Sequence, residues 1–229
     1  VGYNLKGSKI NDLAIKGTDG VDDDGGGLYF TGSEVELNNV KIEGCSANLR
    51  GGGIYVTNSD KPGKFVIRNS VIGNSVIGNE NTAANGGGLY IKNSKVIIDS
   101  TIINGNQVNI VQEFEGKGAG IYVYGSDVEI RNSVINNNAA YGDDNSGGAI
   151  FVKGNVDAYG TKEDSVFISN TDIRGNLSEK ASALYAKTVS LYLDRVVISG
   201  NHFNGNNGAA VYIKDAIASI VNSTITGNS

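Results

Sequence analysis

The sequence GGGIYV at residues 51–56 decides the fold, because variants of it recur along the chain. The other copies are GGGLYF at 25–30, GGGLYI at 86–91, GAGIYV at 118–123, GGAIFV at 147–152, ASALYA at 181–186 and GAAVYI at 208–213. Their starting points lie 26 to 35 residues apart. A constant motif at irregular spacing is typical of a solenoid in which loops of different length leave coils of one cross-section.

A second segment follows each motif and is clearest in VEIRNSVINNN (128–138), VFISNTDIRGN (166–176) and LYLDRVVISGN (191–201). Apolar residues alternate in it as β-strands require, and Gly, Asn and Ser clusters separate the runs. Each coil therefore contains three short strands, and residues 8–18 add half of an eighth coil. The sequence predicts an all-β fold, a single-stranded right-handed parallel β-helix of about seven to eight coils that forms one domain over residues 1–229. Because both ends fall in repeat phase, we expect a part of a longer surface protein.

Alignment of the copies places aliphatic residues in continuous columns, which we expect to form the interior. The first strand supplies Leu28, Ile54, Leu89, Ile121, Ile150, Leu184 and Val211, and the third supplies Ile42, Ile72, Ile103, Ile135, Ile173, Ile198 and Ile225. Asn residues recur in two turns, where stacked amides are expected to bond along the axis. They are Asn39, Asn69, Asn132, Asn170 and Asn222 in one turn, and Asn106, Asn138, Asn176, Asn201 and Asn228 in the other. Cys45 falls in the second turn as a buried thiol, and either SVIGN copy, 70–74 or 75–79, fits the register.

The small residues that open each motif predict a tight corner at which neighbouring backbones approach closely. In the sixth copy they are Ala181, Ser182 and Ala183. A positive φ at every copy is therefore excluded, and close approach explains them better.

Composition limits the function classes. The formal net charge is −5, and no basic stripe is visible along the sequence, so a nucleic-acid partner is not expected. The single Cys excludes an internal disulfide. No apolar run reaches membrane-spanning length, so this segment is not expected to insert into a membrane. No motif calls for a cofactor or a metal ion.

The repeats support a family resemblance over essentially the whole chain. GGAI at 147–150, its variants GGGI and GGGL, and FISN at 167–170 resemble the GGA[ILV] and FxxN repeats of chlamydial polymorphic membrane proteins. More broadly, the chain resembles adhesin-like β-helical surface proteins of bacteria and archaea. The resemblance implies an extracellular or cell-surface rod, often an autotransporter passenger, whose partner is a polysaccharide or a host or partner surface protein. The same fold resembles that of pectate lyases and polygalacturonases.

The leading candidate site is the residue after each inward aliphatic of the first strand. Strand alternation directs this residue outward, so its seven copies form an aromatic column. The column consists of Tyr29, Tyr55, Tyr90, Tyr122, Phe151, Tyr185 and Tyr212. Sugar rings and other flat apolar surfaces stack on such side chains. The alternative interpretation is that the rings stack only on one another and stabilise neighbouring coils.

Other conspicuous residues have structural explanations. Arg68, Asp99 and Arg131 fall on successive coils, where a salt-bridge ladder is favoured over a lyase-type catalytic group. Acidic loops at 22–24 and 143–144 are expected to be solvated rather than to bind Ca²⁺. The single histidine, His202, has no evident catalytic partner. Outward apolar residues of the second and third strands are expected to be covered by loop 107–117 or to form a contact surface.

These observations favour a non-catalytic adhesin or binding module that displays an extended face. A polysaccharide-active enzyme and a purely structural stalk are the alternatives. Uronate lyases and polygalacturonases work through paired or clustered carboxylates, or through Ca²⁺ with a basic residue, gathered in a groove on one face. No column of this sequence stacks two carboxylates on adjacent coils.

Overall fold

The structure, a computed structural model, describes residues 1–21, 23–58, 64–76, 78–108, 116–141, 147–156, 164–205 and 208–229. Asp22, Asp143, Asp144 and most of loop 107–117 lie outside the described residues. The chain forms the predicted right-handed parallel β-helix, in which strands pair in parallel with their equivalents in adjacent coils.

Sheet 1 contains the first strand of each coil, eight strands in sequence order. They are Gly2–Tyr3, Leu28–Thr31, Ile54–Thr57, Leu89–Lys92, Ile121–Tyr124, Ile150–Lys153, Ala181–Lys187 and Ala209–Lys214. The register aligns the motif copies with one another, so that Tyr90 pairs with both Tyr55 and Tyr122. Motif copies that are irregularly spaced in the sequence therefore form a regularly paired sheet.

Sheet 2 contains the second and third strands. The second strands are Ser8–Asn11, Val35–Asn38, Lys64–Arg68, Lys95–Asp99, Asp127–Arg131 and Ile217–Val221, and the third are Ala14–Val21, Lys41–Ala47, Val71–Ile72, Ile102–Asn104, Val134–Asn136 and Thr224–Thr226. Ser165–Arg174 and Ser190–Ser199 run through both positions without interruption. The bend between the second and third strand positions is made in each coil by one residue with positive φ, such as Asn69, Asn132 or Asn170. Asn is among the few side chains that tolerate this left-handed conformation.

A fourth, two-residue strand closes five of the coils and was not predicted from the sequence. These strands are Thr82–Ala83, Gln107–Val108, Ala139–Ala140, Leu177–Ser178 and His202–Phe203. They follow the second Asn turn and pair in parallel along the axis. Two residues are too few to produce an alternating pattern, which explains why sequence periodicity missed them.

The core is the set of inward columns that the alignment predicted. Ile54, Leu89, Ile103 and Ile135 are fully buried, and so are their equivalents in the other central coils. One continuous cluster runs through the helix from Phe30 to Ile198. Each coil buries its apolar residues by resting on the next one, as expected of a solenoid.

A buried asparagine ladder runs beside this core. Its rungs are Asn81, Asn106, Asn138, Asn176, Asn201 and Asn228. The Nδ2 of each of the first five donates to the Oδ1 of the next rung at 2.8–3.0 Å. Each also donates to a backbone carbonyl oxygen at 2.9–3.1 Å, the oxygen of Ile103 in the case of Asn138. The amide ladder predicted for this turn is therefore present, and it satisfies the polar groups that the turn buries. The ladder predicted for the other turn is not continuous, because Asn69 donates there to Asn38 and Asn132 donates to Asp99.

Two details of the ladder go beyond the sequence alignment. Asn81 is the rung of the second coil, for which the sequence alignment predicts none. Cys45 lies at the preceding position, buried as predicted, and its backbone N–H donates to Oδ1 of Asn81 at 3.0 Å.

The duplicated SVIGN segment is resolved by strand pairing. Val71 and Ile72, in the first copy, pair with Ile102 and Ile103 of the next coil. In the second copy, Ser75, Val76, Gly78 and Asn79 lie outside the strands, and Val76 is exposed. The first copy is therefore in register, and the second forms an insertion at the corner.

Close approach explains the second and third glycines of the three motifs that begin with Gly-Gly-Gly, as predicted. A Cβ at Gly53 would lie 2.6 Å from the carbonyl oxygen of Gly88, and one at Gly88 would lie 2.6 Å from that of Gly120. The first glycine has an additional reason, because φ is positive at Gly51 and at its equivalents in four other coils. Ala181 of the sixth coil does not share this conformation.

Asn138→Ala is expected to reduce the free energy of unfolding by about 2–5 kcal/mol. The substitution leaves both the backbone N–H and the side-chain amide of Asn106 without their acceptor in a buried site. Urea unfolding followed by far-UV circular dichroism measures the change. Asn204→Ala, at an exposed position of the same helix, is the control and should change stability by less than about 0.5 kcal/mol. Equal effects of the two substitutions would contradict a stabilising role of the ladder.

Candidate functional site

The structure brings all seven residues of the aromatic column together on the outer side of sheet 1. Strand register pairs each ring with its equivalents on the adjacent coils. Successive ring centroids are 4.6–5.3 Å apart, and the ring planes differ by 7–19°. Tyr3 extends the column as an eighth, tilted ring 6.0 Å from Tyr29. Tyr3 was not predicted from the sequence, because the motif is absent around it.

The accessibility of the rings differs strongly along the column. Tyr55, Tyr90 and Phe151 are only 5 %, 7 % and 4 % exposed, whereas Tyr212 is 39 % exposed. The flat faces of the central rings are covered by neighbouring rings. This geometry favours the stacking interpretation for the central rings, and Tyr29, Tyr122 and Tyr185 keep partly exposed edges. The ligand-binding role of the column remains a prediction.

A row of residues just before the motifs covers the central rings from one side. Asp24, Arg50, Asn85 and Lys117 form a line of isolated parallel bridges. The guanidinium carbon of Arg50 lies 5.7 Å from the ring centroid of Tyr90, and Nζ of Lys117 lies 5.4 Å from that of Phe151. Both distances are in the range of cation–π interactions.

Asp24 belongs to this covering row and not to a solvated loop, so the expectation for it was wrong. Its Oδ2 lies 3.4 Å from Nη1 of Arg50, and the carboxylate is only 15 % exposed. Burial raises the pKa of Asp24 above its ordinary value, although the charge of Arg50 opposes this shift. Asp24 is held by its ion pair with Arg50. Composition alone does not reveal this contact.

Burial also changes the acidity of the central phenols. It raises the pKa of Tyr122 to about 12, and it raises the pKa of Tyr90 further. Both phenols are therefore neutral hydrogen-bonding groups at physiological pH.

The predicted ladder of Arg68, Asp99 and Arg131 is present on sheet 2. Oδ2 of Asp99 lies 2.7 Å from Nη1 of Arg68 and 3.1 Å from Nη2 of Arg131. Burial disfavours the charged carboxylate, but hydrogen bonds from Asn132 and Arg131 outweigh it and lower the pKa of Asp99. The group is a structural ion pair, as the sequence indicated.

Glu43 is a buried carboxylate that sequence inspection missed. It accepts from Lys41 at 2.8 Å and from Nδ2 of Asn74 at 2.6 Å, and Lys16 lies 3.6 Å away. The hydrogen bond from Lys41 is the main cause of its lowered pKa. His202 is exposed, and its Nδ1 lies 2.7 Å from Oγ of Ser229. Across the described residues, no three His, Cys, Asp or Glu side chains are grouped as a metal site.

The outer face of sheet 2 carries a groove of about 380 Å³ lined in part by Lys95, Ile97, Glu129 and Phe167. Phe167 and Tyr192 stack with ring centroids 4.4 Å apart and are 48 % and 37 % exposed. Ile102 and Val197 are also exposed on this face. Residues 109–115 of the loop expected to cover this surface lie outside the described part of the chain.

A lysine column stands beside the aromatic column and corrects the expectation that the chain has no basic stripe. It consists of Lys92, Lys153, Lys187 and Lys214, with Tyr124 between the first two. Each is the last residue of its strand in sheet 1. The signal was present in the sequence, since LYIK, IFVK, LYAK and VYIK all end in Lys, but the six-residue motif stopped one position short.

Comparison with known families agrees with this geometry. A family model described as the right-handed beta helix region matches residues 4–156 and 112–229. The chain belongs to the right-handed β-helix family. No curated protein and no solved structure matches this β-helix significantly. In the part of the β-helix that the structure describes, no helical segment has the length and apolarity needed to cross a membrane.

Tyr122→Phe is expected to make the β-helix less sensitive to alkaline pH. The pKa of Tyr122 is about 12 in the folded chain and about 10 when unfolded, so its contribution to stability is complete below pH 10. As the pH rises towards 12, wild type loses up to about 2 kcal/mol that the variant does not lose. Urea unfolding at several pH values between about 8 and 12 measures this difference. Phe151 occupies the same column, so the variant should stack normally; identical pH dependence in both proteins would contradict the burial of this phenol.

Proposed function

We propose that the chain is a non-catalytic binding module whose sheet 1 presents an extended outer face to a glycan. The observation that carries the proposal is the aromatic column, whose rings stack in register with centroids 4.6–5.3 Å apart and in which Tyr29, Tyr122 and Tyr185 are partly exposed. We further propose an extracellular or cell-surface location, in line with the resemblance to adhesin-like β-helical proteins and autotransporter passengers.

The chemistry of this face supports a glycan as its partner. Pyranose rings pack their C–H groups against aromatic side chains, and phenol hydroxyls add hydrogen bonds to sugar hydroxyls. Strand register and stacking hold the rings of the aromatic column in place, so these side chains lose little entropy when a glycan binds. A ligand that runs along the helix axis would meet the same side-chain pattern once per coil.

The state of two carboxylates, Asp99 and Glu43, is unfavourable for acid catalysis. Asp99 and Glu43 are each held between cationic side chains, and the pKa of each is lowered. A general acid must be protonated near the working pH, which these surroundings oppose. Polysaccharide cleavage remains the alternative function, because the β-helix fold occurs in lyases and hydrolases as well.

Tyr185→Ala/Tyr212→Ala is expected to weaken glycan binding by about tenfold or more, because each stacked ring contributes about 0.5–1.5 kcal/mol. A glycan array identifies ligands of the wild type, and calorimetry then compares the variants. Phe167→Ala/Tyr192→Ala removes a similarly stacked, exposed pair from sheet 2 and is the matched control. Binding that survives the first double substitution but not the second would place the glycan on sheet 2 and contradict the proposal.

Catalysis is tested separately. Wild-type protein is incubated with uronate polymers while absorbance reports unsaturated products and a reducing-end assay reports hydrolysis. We expect no turnover. Turnover that is abolished by Glu129→Gln, in the groove of sheet 2, would support an enzyme instead.

A further inference from the structure

The outward residues of the third strands form a face with apolar side chains in the middle and charged ones towards its ends. We call it the third-strand face. Strand pairing places one such residue of each coil in a row along the helix axis, in the order Lys41, Val71, Ile102, Val134, Asp172 and Val197. Ile102 and Val197 are 41 % and 39 % exposed. The side chains of Lys41 and Asp172 are 53 % and 45 % exposed, so both charges are accessible.

The charges of this row are placed symmetrically about Ile102. Lys41 lies two coils before Ile102, and Asp172 lies two coils after it. Val71 and Val134 lie one coil away on either side. Read from either end towards Ile102, the row has the same pattern with the sign of the charge reversed. Such a surface is complementary to a second copy of itself.

The adjoining row of positive-φ residues has the same symmetry. It consists of Asp12, Asn39, Asn69, Ser100, Asn132, Asn170 and Arg195. Asp12 lies three coils before Ser100, and Arg195 lies three coils after it. Both charged side chains are exposed, and each is hydrogen-bonded to the Asn of the adjacent coil. Ser100 and Ile102 belong to one coil, so the two rows share the same centre.

We infer that the third-strand face is the interface of a two-fold symmetric dimer, in which a second copy of the chain packs antiparallel with its Ile102 opposite Ile102. The two-fold axis runs along the third strand of this coil. Lys41 then lies opposite Asp172 of the second copy, and Asp12 lies opposite its Arg195. Each of these contacts occurs twice, because the interface is isologous. Sheet 1 takes no part, so the inference does not depend on the proposed glycan binding.

Other arrangements of two copies are disfavoured by the same charges. If the axis lay half a coil further along, between two strands, Lys41 would face Val197 and Asp172 would face Val71. Each charge would then lose water without gaining an opposite charge. If the two helices ran parallel, each charge would face its own equivalent, and like charges in contact exclude a pairing. Of these arrangements, only the antiparallel register centred on Ile102 pairs the charges of both rows.

The ion pairs within each copy are compatible with this interface. Lys41 lies 2.8 Å from Glu43, and Asp172 lies 3.9 Å from Arg174. The dimer brings these two pairs together with opposite charges facing each other, which forms a network of four alternating charges. Glu43 is buried, so it contributes its charge to this network and makes no direct contact across the interface.

The size of the face predicts a weak dimer. Seven coils from Asp12 to Arg195 span about 29 Å at a strand spacing of about 4.8 Å, and the four residue steps from Asp12 to Lys16 span about 13 Å. The face therefore covers roughly 400 Å² on each copy and roughly 800 Å² in the dimer, which is below the range of stable interfaces. We expect association at high micromolar concentration that weakens as salt is added.

The experiment measures self-association by sedimentation velocity between about 10 µM and about 1 mM protein at low salt. Lys41→Asp and Asp172→Lys each place like charges opposite one another in a dimer of identical copies. In an equimolar mixture of these two variants, both contacts again join opposite charges. Lys95→Asp, at an exposed second-strand position outside the face, is the matched control for the change of charge. Circular dichroism verifies that every variant is folded.

Wild type is expected to form dimers and no larger species. Each charge reversal should weaken dimerisation by about tenfold or more, and the control should change it by less than about twofold. The mixture should dimerise within about threefold of wild type, because only the mixed dimer has complementary charges. Damage to the fold by either substitution would not produce this recovery. Ile102→Arg, on the two-fold axis, leaves both charges intact and should also abolish dimerisation.

Three results would overturn the assignment. Wild type that stays monomeric at about 1 mM leaves the face to a partner of other chemistry. Dimers that survive both Asp172→Lys and Ile102→Arg, or open polymers, place the contact elsewhere, for example at the ends of the helix. Folded charge variants whose mixture stays monomeric show that the two positions do not face each other.

Discussion

The hydrogen-bonded register between successive coils is the constraint on which the rest of this molecule depends. The asparagine ladder maintains it from inside, since a side-chain amide can bond both its neighbours and the adjacent backbone only when the coils are in phase. A slip of one residue would exchange the inward and outward faces of every strand in the coil. The ladder is therefore coupled to the apolar columns beside it, although it contains no apolar group.

The same register gives the outer surface its order. A residue type that recurs at one position of the repeat becomes a continuous line of side chains, and the outcome depends on its chemistry. Tyrosines stack and protect one another, opposite charges form ladders such as the one around Asp99, and lysines accumulate charge. Surface function in such a fold follows from the composition of a column more than from any local cluster.

Most of the fold was predictable because the repeat supplies its own alignment. The inward columns, the amide ladder and the salt-bridge ladder all follow once the motif copies are superposed. Other features of the structure could not be predicted, because the repeat pattern carries no signal for them. The fourth strand has only two residues, which is too short to show an alternating pattern. The rung at Asn81 was missed because the SVIGN duplication places extra residues between it and the third strand. The burial of Tyr90 could not be inferred from strand alternation, because its cover comes from Arg50, before the motif of another coil. The lysine column was visible in principle, but it lay one residue beyond the boundary chosen for the motif.

The duplicated SVIGN segment shows how this architecture tolerates change in chain length. Val71 and Ile72 of the first copy pair with the next coil, and the second copy is an insertion at the corner. Asn81 then brings the coil back into register with the next one through its bond to Asn106. A side-chain hydrogen bond thus restores the alignment of successive coils once per coil, whatever the number of residues at the corner. Slippage during replication of the gene, which adds or removes short repeats, would then alter one corner loop and leave all other coils unchanged. Such a molecule can diversify its surface while its scaffold stays constant.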